Sequence, residues 1–466
     1  MPPMLMQAVC LAACKDDQAS ECLILEGKSL AAISFSEQLY CDADSKVRTL
    51  RSSELDRIRL IQTHLLLSLH CQEPQDAEKS SLHLGIAVHH SQSIGLHLGQ
   101  SSVARPRGHA AGAEGSKTQH HRSRLFWCVW SLDRLNSAIN GRPRMLFKDD
   151  IGLDLDETLH VFTPTAQLWM LQSQLLDRVI ELYSPHATTD REQQLNPFPT
   201  FEELLEEVEG GNRQVEPTLL ATLEFFYLAI AMVSCRVRLQ AGRSLGSHLY
   251  LRRSLSATTI CSMLGHTGLE DVAPLPIVPY AVSLAQLVAY QQMRQSKREA
   301  RRAIAREQLE QCQKRLESMG PVWWSAREMA EIGKRVLTQL AHKNPTQQPI
   351  PPATRAHEET LRVYEQDRSS IGGATDEQDA PMAGAQGANS NMADDDGSIV
   401  GTRGDPVQDP SGEAFIMDDN AFADMDAIFG NLMDMNAFPD SFDFVFQDGF
   451  GDVGVDDADN TALYAG

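Results

Sequence analysis

The sequence has no Cys-x2-Cys pair anywhere in its 466 residues. Its nine cysteines, at 10, 14, 22, 41, 71, 128, 235, 261 and 312, are odd in number and irregular in spacing. That argues against a disulfide framework and against a zinc ribbon or cluster, which need cysteines paired at short intervals. Several lie among apolar residues and are expected to be buried thiols in a reducing compartment. Long apolar runs are also missing. The longest, Leu223 to Cys235, is interrupted by Glu224, whereas a membrane span takes roughly 20 residues. Met1 to Cys14 is mildly apolar but has no basic start, so it does not read as a secretory signal. No membrane segment is expected. Positive charge is scarce: 41 Lys and Arg stand against 63 Asp and Glu, a net charge of −22. The chain therefore has no overall basic character for nucleic acid.

The charge imbalance is local. Asn391 to Gly466 contains eighteen Asp and Glu and a single Arg, Arg403, which accounts for −17 of the −22 and leaves −5 for everything before it. Hydrophobic content of 42% and charged content of 22% are ordinary for a globular protein. The length alone is compatible with two or three domains.

Apolar residues recur at helical spacing through most of the first 340 positions. Residues 1–14 read as a buried helix. Ser53-x-x-Asp56 reads as a helix start, followed by Leu55, Ile58, Ile61, Leu65 and Leu69. Leu82, Ile86, Ala87 and Ile94 predict a helix closed by Gly95. Residues 101–120, rich in Gly, Ser, Arg and His, predict a loop. Leu168, Leu171, Leu175, Leu176 and Ile180 predict an amphipathic helix over 166–183. Thr200 is placed to cap a helix from Phe201 to Glu209. Further helices are expected at 219–239, 249–264, 278–319 and 321–341.

The densest apolar stretch is Arg124-Leu125-Phe126-Trp127-Cys128-Val129-Trp130-Ser131-Leu132-Asp133-Arg134, running on to Gly141-Arg142-Pro143. A helix apolar on several sides is usually buried. Gly141 offers a left-handed exit and Pro143 prevents the helix from resuming. This run resembles the signature of the fungal transcription-factor regulatory domain, and Gly95, Leu96 and His97 upstream resemble the same family's Gly-Leu-His element. The resemblance covers roughly residues 1–340. It implies an all-α, multi-helix regulatory domain over 1–345; the composition beyond it reads as a disordered acidic tail. The resemblance also implies nuclear localisation and a role in transcription. In that family the domain usually follows a six-cysteine zinc cluster, which is not in this sequence. The expectation is thus an N-terminally incomplete domain, no cofactor in this chain, and zinc only if an upstream cluster exists. DNA would be reached only through such a module or a partner protein, and homodimerisation is compatible with the family. Arg124, Trp127, Asp133, Arg134, Gly141, Arg142 and Pro143 match the motif residue by residue. A structural role is expected of Asp133, Arg134 and Arg142, with ligand sensing as the alternative. The family's Asp-rich extended segment corresponds to 148–156, here without its usual Leu-Pro end.

From about Asn344 the composition shifts to Pro, Gln, Gly, Ala and Asp, which reads as a linker over 346–412. In 413–466 phenylalanine returns, at Phe415, Phe422, Phe429, Phe438, Phe442, Phe444, Phe446 and Phe450, interleaved with Asp and Met. Acidic–aromatic alternation is the composition of activation segments that dock on a coactivator or the general transcription machinery. A merely solubilising tail does not call for eight Phe. Other motifs read blandly. Gly242-Arg243-Ser244-Leu245-Gly246 matches a nucleophile elbow but follows a helix rather than a strand. His83, His89, His90 and His97 lack a carboxylate to complete a metal pattern. The basic run Arg294 to Arg315 is interspersed with Glu and fits a solvated face before an import signal or phosphate contact. The sequence is read as a transcriptional regulator, with an enzyme or a non-transcriptional scaffold on an all-helical fold as the rival readings. No catalytic constellation is found to support the enzyme.

Overall fold

Helix boundaries in this chain follow from a few residues that fix the backbone locally. The computed structural model describes residues 3–16, 19–22, 24–25, 28–29, 32–49, 54–70, 72–74, 76–98, 113–183, 197–209, 214–235, 247–268 and 271–343. The elements are helices α1 (Pro3–Ala13), α2 (Ala19–Cys22), α3 (Ala32–Thr49), α4 (Glu54–Leu67), α5 (Asp76–Ser93), α6 (Ala113–Asn140), α7 (Leu155–Leu159) and α8 (Pro164–Leu182). They continue with α9 (Phe201–Val208), α10 (Pro217–Ser234), α11 (Ser247–His266), α12 (Ile277–Gln295), α13 (Glu299–Met319) and α14 (Trp324–Lys343). The all-α expectation holds. The strand content among the described residues is one antiparallel ladder pairing Ile24 with Ser29 and Leu25 with Lys28.

The caps are specific. Thr163 accepts from Ala166 N with Pro164 in the first turn of α8. Thr200 caps α9 as the sequence predicts, and Glu203 completes a reciprocal capping box with it. Gly95 and Gly141 both sit at positive φ, 66° and 62°, where a side chain would be strained. Gly95 ends the α5 region and Gly141 ends α6. Asp154 caps α7 through Asp156 N, so the Asp-rich segment expected to be extended forms a short helix at its end, preceded by a 3₁₀ turn at Lys148–Asp150.

Neighbouring helices pack on one another along much of the chain: α1 on α3 and α4, α4 on α5, α5 on α6, α6 on α8, α8 on α10, and α10 on α11 and α12. A core cluster gathers Ile61 and Leu65 of α4, Leu84 and Val88 of α5, Phe126, Trp127 and Trp130 of α6, and Leu146, Leu155, Phe162 and Met170 beyond it. Burying each such side chain contributes roughly 1.5–3 kcal/mol.

Several expectations are corrected. Helix α1 is not buried all round: Met4, Ala8 and Leu11 face inward, while Met6 and Val9 are exposed. Leu82 is 60% exposed. The buried face of α5 is instead Ser81, His83, Leu84, Ala87, Val88 and Ser91, because polar residues there find partners inside. The loop expected over 101–120 is already helix from Ala113. The single helix expected over 278–319 is two, α12 and α13, broken where Ser296 and Arg298 are extended. So short a connection folds α13 back on α12, which buries Leu309, Cys312 and Leu316. The helix expected over 219–239 ends at Ser234. Helix α10 is long and apolar enough to cross a membrane, since it tolerates Glu224 within the window. Its Leu223, Phe226, Ile230 and Val233 are buried in this fold. Ser53, Val237, Gly242 to Gly246, the linker and the acidic–aromatic segment lie outside the described residues.

The buried face of α5 is testable. Leu84→Ala should lower stability by about 2–5 kcal/mol. Leu82→Ala should change it by no more than about 0.5 kcal/mol. Urea unfolding midpoints of the two variants would distinguish them, and equal losses would contradict the assignment.

Candidate functional site

Asp133 and Arg134 are adjacent on α6 and almost wholly buried, at 0% and 1% exposure. Two buried charges persist only when their bonding capacity is used, and here it is. Arg134 donates through Nη1 to Asp133 Oδ2, through Nε to Asp177 Oδ1 at 2.6 Å, and through Nη2 to the Leu146 carbonyl at 2.7 Å. Its guanidinium carbon lies 4.7 Å from the centre of the Trp130 ring. The Asp133 carboxylate accepts from Met145 N and Leu146 N, each at 3.1 Å. Burial raises the Asp133 carboxyl, opposed by Arg134 and these two N–H groups. Burial lowers Arg134, opposed by Asp177 and Asp133.

The residues after α6 complete the arrangement. Gly141 reverses the chain. The Ser137 hydroxyl donates to the Arg142 carbonyl at 2.6 Å, and the Arg142 side chain reaches Glu78 on α5. Arg144 donates to Asp177 at 2.6 Å and to Glu181 at 3.4 Å on α8. The Tyr280 hydroxyl of α12 donates to the Ala138 carbonyl at 3.0 Å. Pro143 is exposed. Arg124 is exposed as well, 5.7 Å from the centre of the Phe162 ring.

The two sequence elements meet in one core. Leu96 packs in the cluster that holds Trp127 and Trp130. The His97 carbonyl accepts from Gly152 N at 2.8 Å, and Arg122 donates to the Ile94 carbonyl at 2.9 Å. A Cβ on Gly152 would come within 2.8 Å of the Leu98 carbonyl oxygen, so glycine is what permits this approach. The motif residues thus fix how the loop after α6 and the turn after α5 lie on the core.

Sequence reading missed the partners of the buried histidine. His83 Nδ1 lies 2.9 Å from His64 Nδ1 of α4, and its Nε2 is 2.9 Å from the Tyr40 hydroxyl of α3. His70 stacks on Tyr40 at 4.7 Å. His89 is exposed and His90 is half-buried. Burial, then His83 and His90, pull His64 down to about 3. Burial, then Lys15, pulls His70 down to about 4. Among the described residues no group of three or more His, Cys, Asp or Glu could hold a metal ion.

A recess of about 550 Å³ lies elsewhere, among Lys15, Val272, Leu275, Val278, Met319 and Trp323. The Lys15 ammonium sits 3.7 Å from the centre of the Trp323 ring and donates to the Leu69 carbonyl. None of the motif residues lines it. In the basic run, Arg306 pairs with Glu310 at 3.2 Å, one turn away. Arg315 donates to the Leu264 and Thr267 carbonyls, where it satisfies the C-terminal end of α11.

Residues 5–193 match the family described as the fungal specific transcription factor domain. A Neurospora crassa protein named transcriptional activator protein acu-15 is 29% identical over 160 residues, covering 30% of this chain and 16% of the relative. Two Schizosaccharomyces pombe proteins named as uncharacterized transcriptional regulatory proteins are 30% identical over 82 residues and 28% identical over 120 residues. The first covers 18% of this chain and 9% of the relative, the second 23% and 17%. The matched part is thus less than a fifth of the length of each relative. No solved structure matches at the same stringency.

Two expectations follow from the geometry. Arg134→Met would leave Asp133 buried without its guanidinium, and should lower stability by about 3–5 kcal/mol. A loss under 1 kcal/mol in denaturant unfolding would rule out this role. The histidine pair makes the fold acid-sensitive. The folded pKa of His64 lies below its unfolded value of 6.5, so at lower pH the unfolded chain binds the proton first. Stability is therefore fullest above pH 6.5 and falls as the pH drops toward 3, by up to about 1.4 kcal/mol per pH unit. His64→Asn should flatten the decline in unfolding midpoint between pH 7 and pH 5.

Proposed function

We propose that this chain, whose residues 5–193 match a fungal specific transcription factor domain, is a transcriptional regulator. Within that class we read it as an activator of a fungal metabolic or secondary-metabolite gene cluster. The observation that carries the activator reading is the segment 413–466, in which eight Phe are interleaved with Asp and Met. Like charges keep such a sequence from collapsing, and the aromatic side chains then stay available to dock in a groove of a coactivator or of the general transcription machinery. The helical body, residues 1–345, would be the regulatory domain, and residues 346–412 the linker.

The motif geometry supports a scaffold role for the body. Asp133 and Arg134 are consumed by internal bonds, which suits groups that set a shape rather than groups that turn over a substrate. The role assigned is therefore regulatory and not catalytic. DNA would be reached through an upstream module or a DNA-bound partner, and the site of action would be the nucleus.

Fusing residues 391–466 to an unrelated DNA-binding module upstream of a reporter tests the activator reading. The fusion should switch the reporter on, and replacing the eight Phe by Ala should remove most of the signal. If the native and the Phe-to-Ala fusions are equally silent, the activator reading fails. A tagged full chain should accumulate in the nucleus, and its exclusion would favour the scaffold rival.

A further inference from the structure

Helices α11 and α13 run side by side and are pinned to each other at two levels. Gln308 Nε2 donates to Thr258 Oγ1 at 3.3 Å. Further along, Arg315 donates to the Leu264 and Thr267 carbonyls. Between these two clamps Cys261 and Cys312 meet, with their sulfurs 3.6 Å apart. Both are free thiols. Cys312 is 0% exposed and Cys261 5%. They come from positions 51 residues apart, so the tertiary fold alone brings them together.

We propose that Cys261 and Cys312 form a thiol–disulfide switch that staples α11 to α13 when the protein meets a peroxide. The clamps on either side hold the helices at a fixed separation. Closing the sulfurs from contact to a bond of about 2.05 Å then takes side-chain rotation, with little helix movement. The two thiols are not equivalent. The contact with Cys312 lowers the Cys261 thiol despite burial, whereas that same contact and burial push Cys312 up. Cys261 is also the one of the two that reaches the surface, at 5% exposure against 0% for Cys312, so peroxide meets Cys261 first.

The chemistry balances with hydrogen peroxide as the oxidant. The Cys261 thiolate attacks one peroxide oxygen and the O–O bond breaks. The departing hydroxide takes up the proton that Cys261 released and leaves as water, with a sulfenic acid on Cys261. The Cys312 sulfur then attacks the Cys261 sulfur and the S–O bond breaks. Hydroxide leaves with the Cys312 proton as a second water. Two thiols and one peroxide give one disulfide and two waters. A dithiol reductant reverses the step by exchange. Both stapled helices pack on α12, which bonds to α6 through Tyr280 and to α14 through Gln286. The oxidised form would thus hold three helices as one block.

The test uses the full chain, purified reduced and treated with hydrogen peroxide in the folded state. Peptide mass mapping without reductant should find the peptides of Cys261 and Cys312 joined, lighter by two hydrogens, and separated again by dithiothreitol. The thermal midpoint should rise on oxidation. In Cys312→Ser, dimedone should trap a sulfenic acid on Cys261, whereas in Cys261→Ser position 312 should stay unmodified. The proposal is overturned if peroxide modifies the exposed Cys10 and Cys41 while Cys261 and Cys312 remain free. It is equally overturned if the joined peptides appear only after unfolding in urea. The mapping on the unmutated chain decides the matter even if a serine variant does not fold.

Discussion

The buried pair Asp133–Arg134 is the constraint on which the centre of this fold depends. Neither charge would survive in the interior alone. Asp133 needs the two N–H groups of Met145 and Leu146, and Arg134 needs the Leu146 carbonyl and Asp177. The chain after α6 must therefore return along it. Gly141 makes the reversal, and the Ser137 hydroxyl and Arg144 hold the returning segment at either end. The loop cannot leave without exposing an unpaired charge to an apolar interior. Equally, the charges cannot be buried unless the loop is in place. Helix α6, its exit loop and α8 form one interlocked unit for that reason.

From this unit the rest of the core is positioned. Returning the chain at 141–146 carries Leu146 into the cluster of Trp127 and Trp130. The next residues then pass beside the turn at Gly95, where Gly152 N meets the His97 carbonyl. The short motifs at 95–97 and at 124–143 are thus two ends of one packing arrangement. Glu78 extends it to α5 through Arg142. Behind α5, the His64–His83 contact joins the next layer. Polar side chains line much of this interior, and each bonded one, such as Arg134, Asp133, Ser81 and His83, requires one partner at one distance. Such requirements select a single packing more strongly than apolar contact does.

Features written in local chemistry were legible in the sequence. The Thr200 cap, the exits at Gly95 and Gly141, and the apolar face of α8 depend on residues within one or two turns. What was not legible depends on distant partners. Leu82 and Leu84 are both leucine, and nothing local says which is buried. The deciding neighbours are Asn136, which takes the Ser81 hydroxyl, and His64, which takes His83. With polar residues satisfied inside, the hydropathy pattern of α5 misplaces Leu82, although Ala87 is buried and Ile94 packs on the core as the pattern predicts. The break at 296–298 carries neither Gly nor Pro. Tertiary burial of Leu309, Cys312 and Leu316 compensates for it, and that gain is invisible before the fold is known. The pairing of Asp177 with Arg134 spans 43 residues, which no motif spacing encodes. The linker and the acidic–aromatic segment are read from composition alone.

Communication across this body has a defined geometry. One face of α8 carries Asp177 to Arg134 and Arg144, and another packs on α10. There Gln172 donates to the Leu223 carbonyl at 3.1 Å, Tyr183 to the Val233 carbonyl at 2.7 Å, and the rings of Trp169 and Phe226 lie 4.5 Å apart. Helix α10 in turn packs on α11 and α12. A shift of the C-terminal helices reaches α6 by this route and by the Tyr280–Ala138 bond. An effector changes the state of such a protein only by favouring one arrangement over another. Arg134 is buried and held through Nε, Nη1 and Nη2 at once, so it resists graded displacement. A signal that passes through α8 must therefore move the interlocked unit as a whole or leave it where it is.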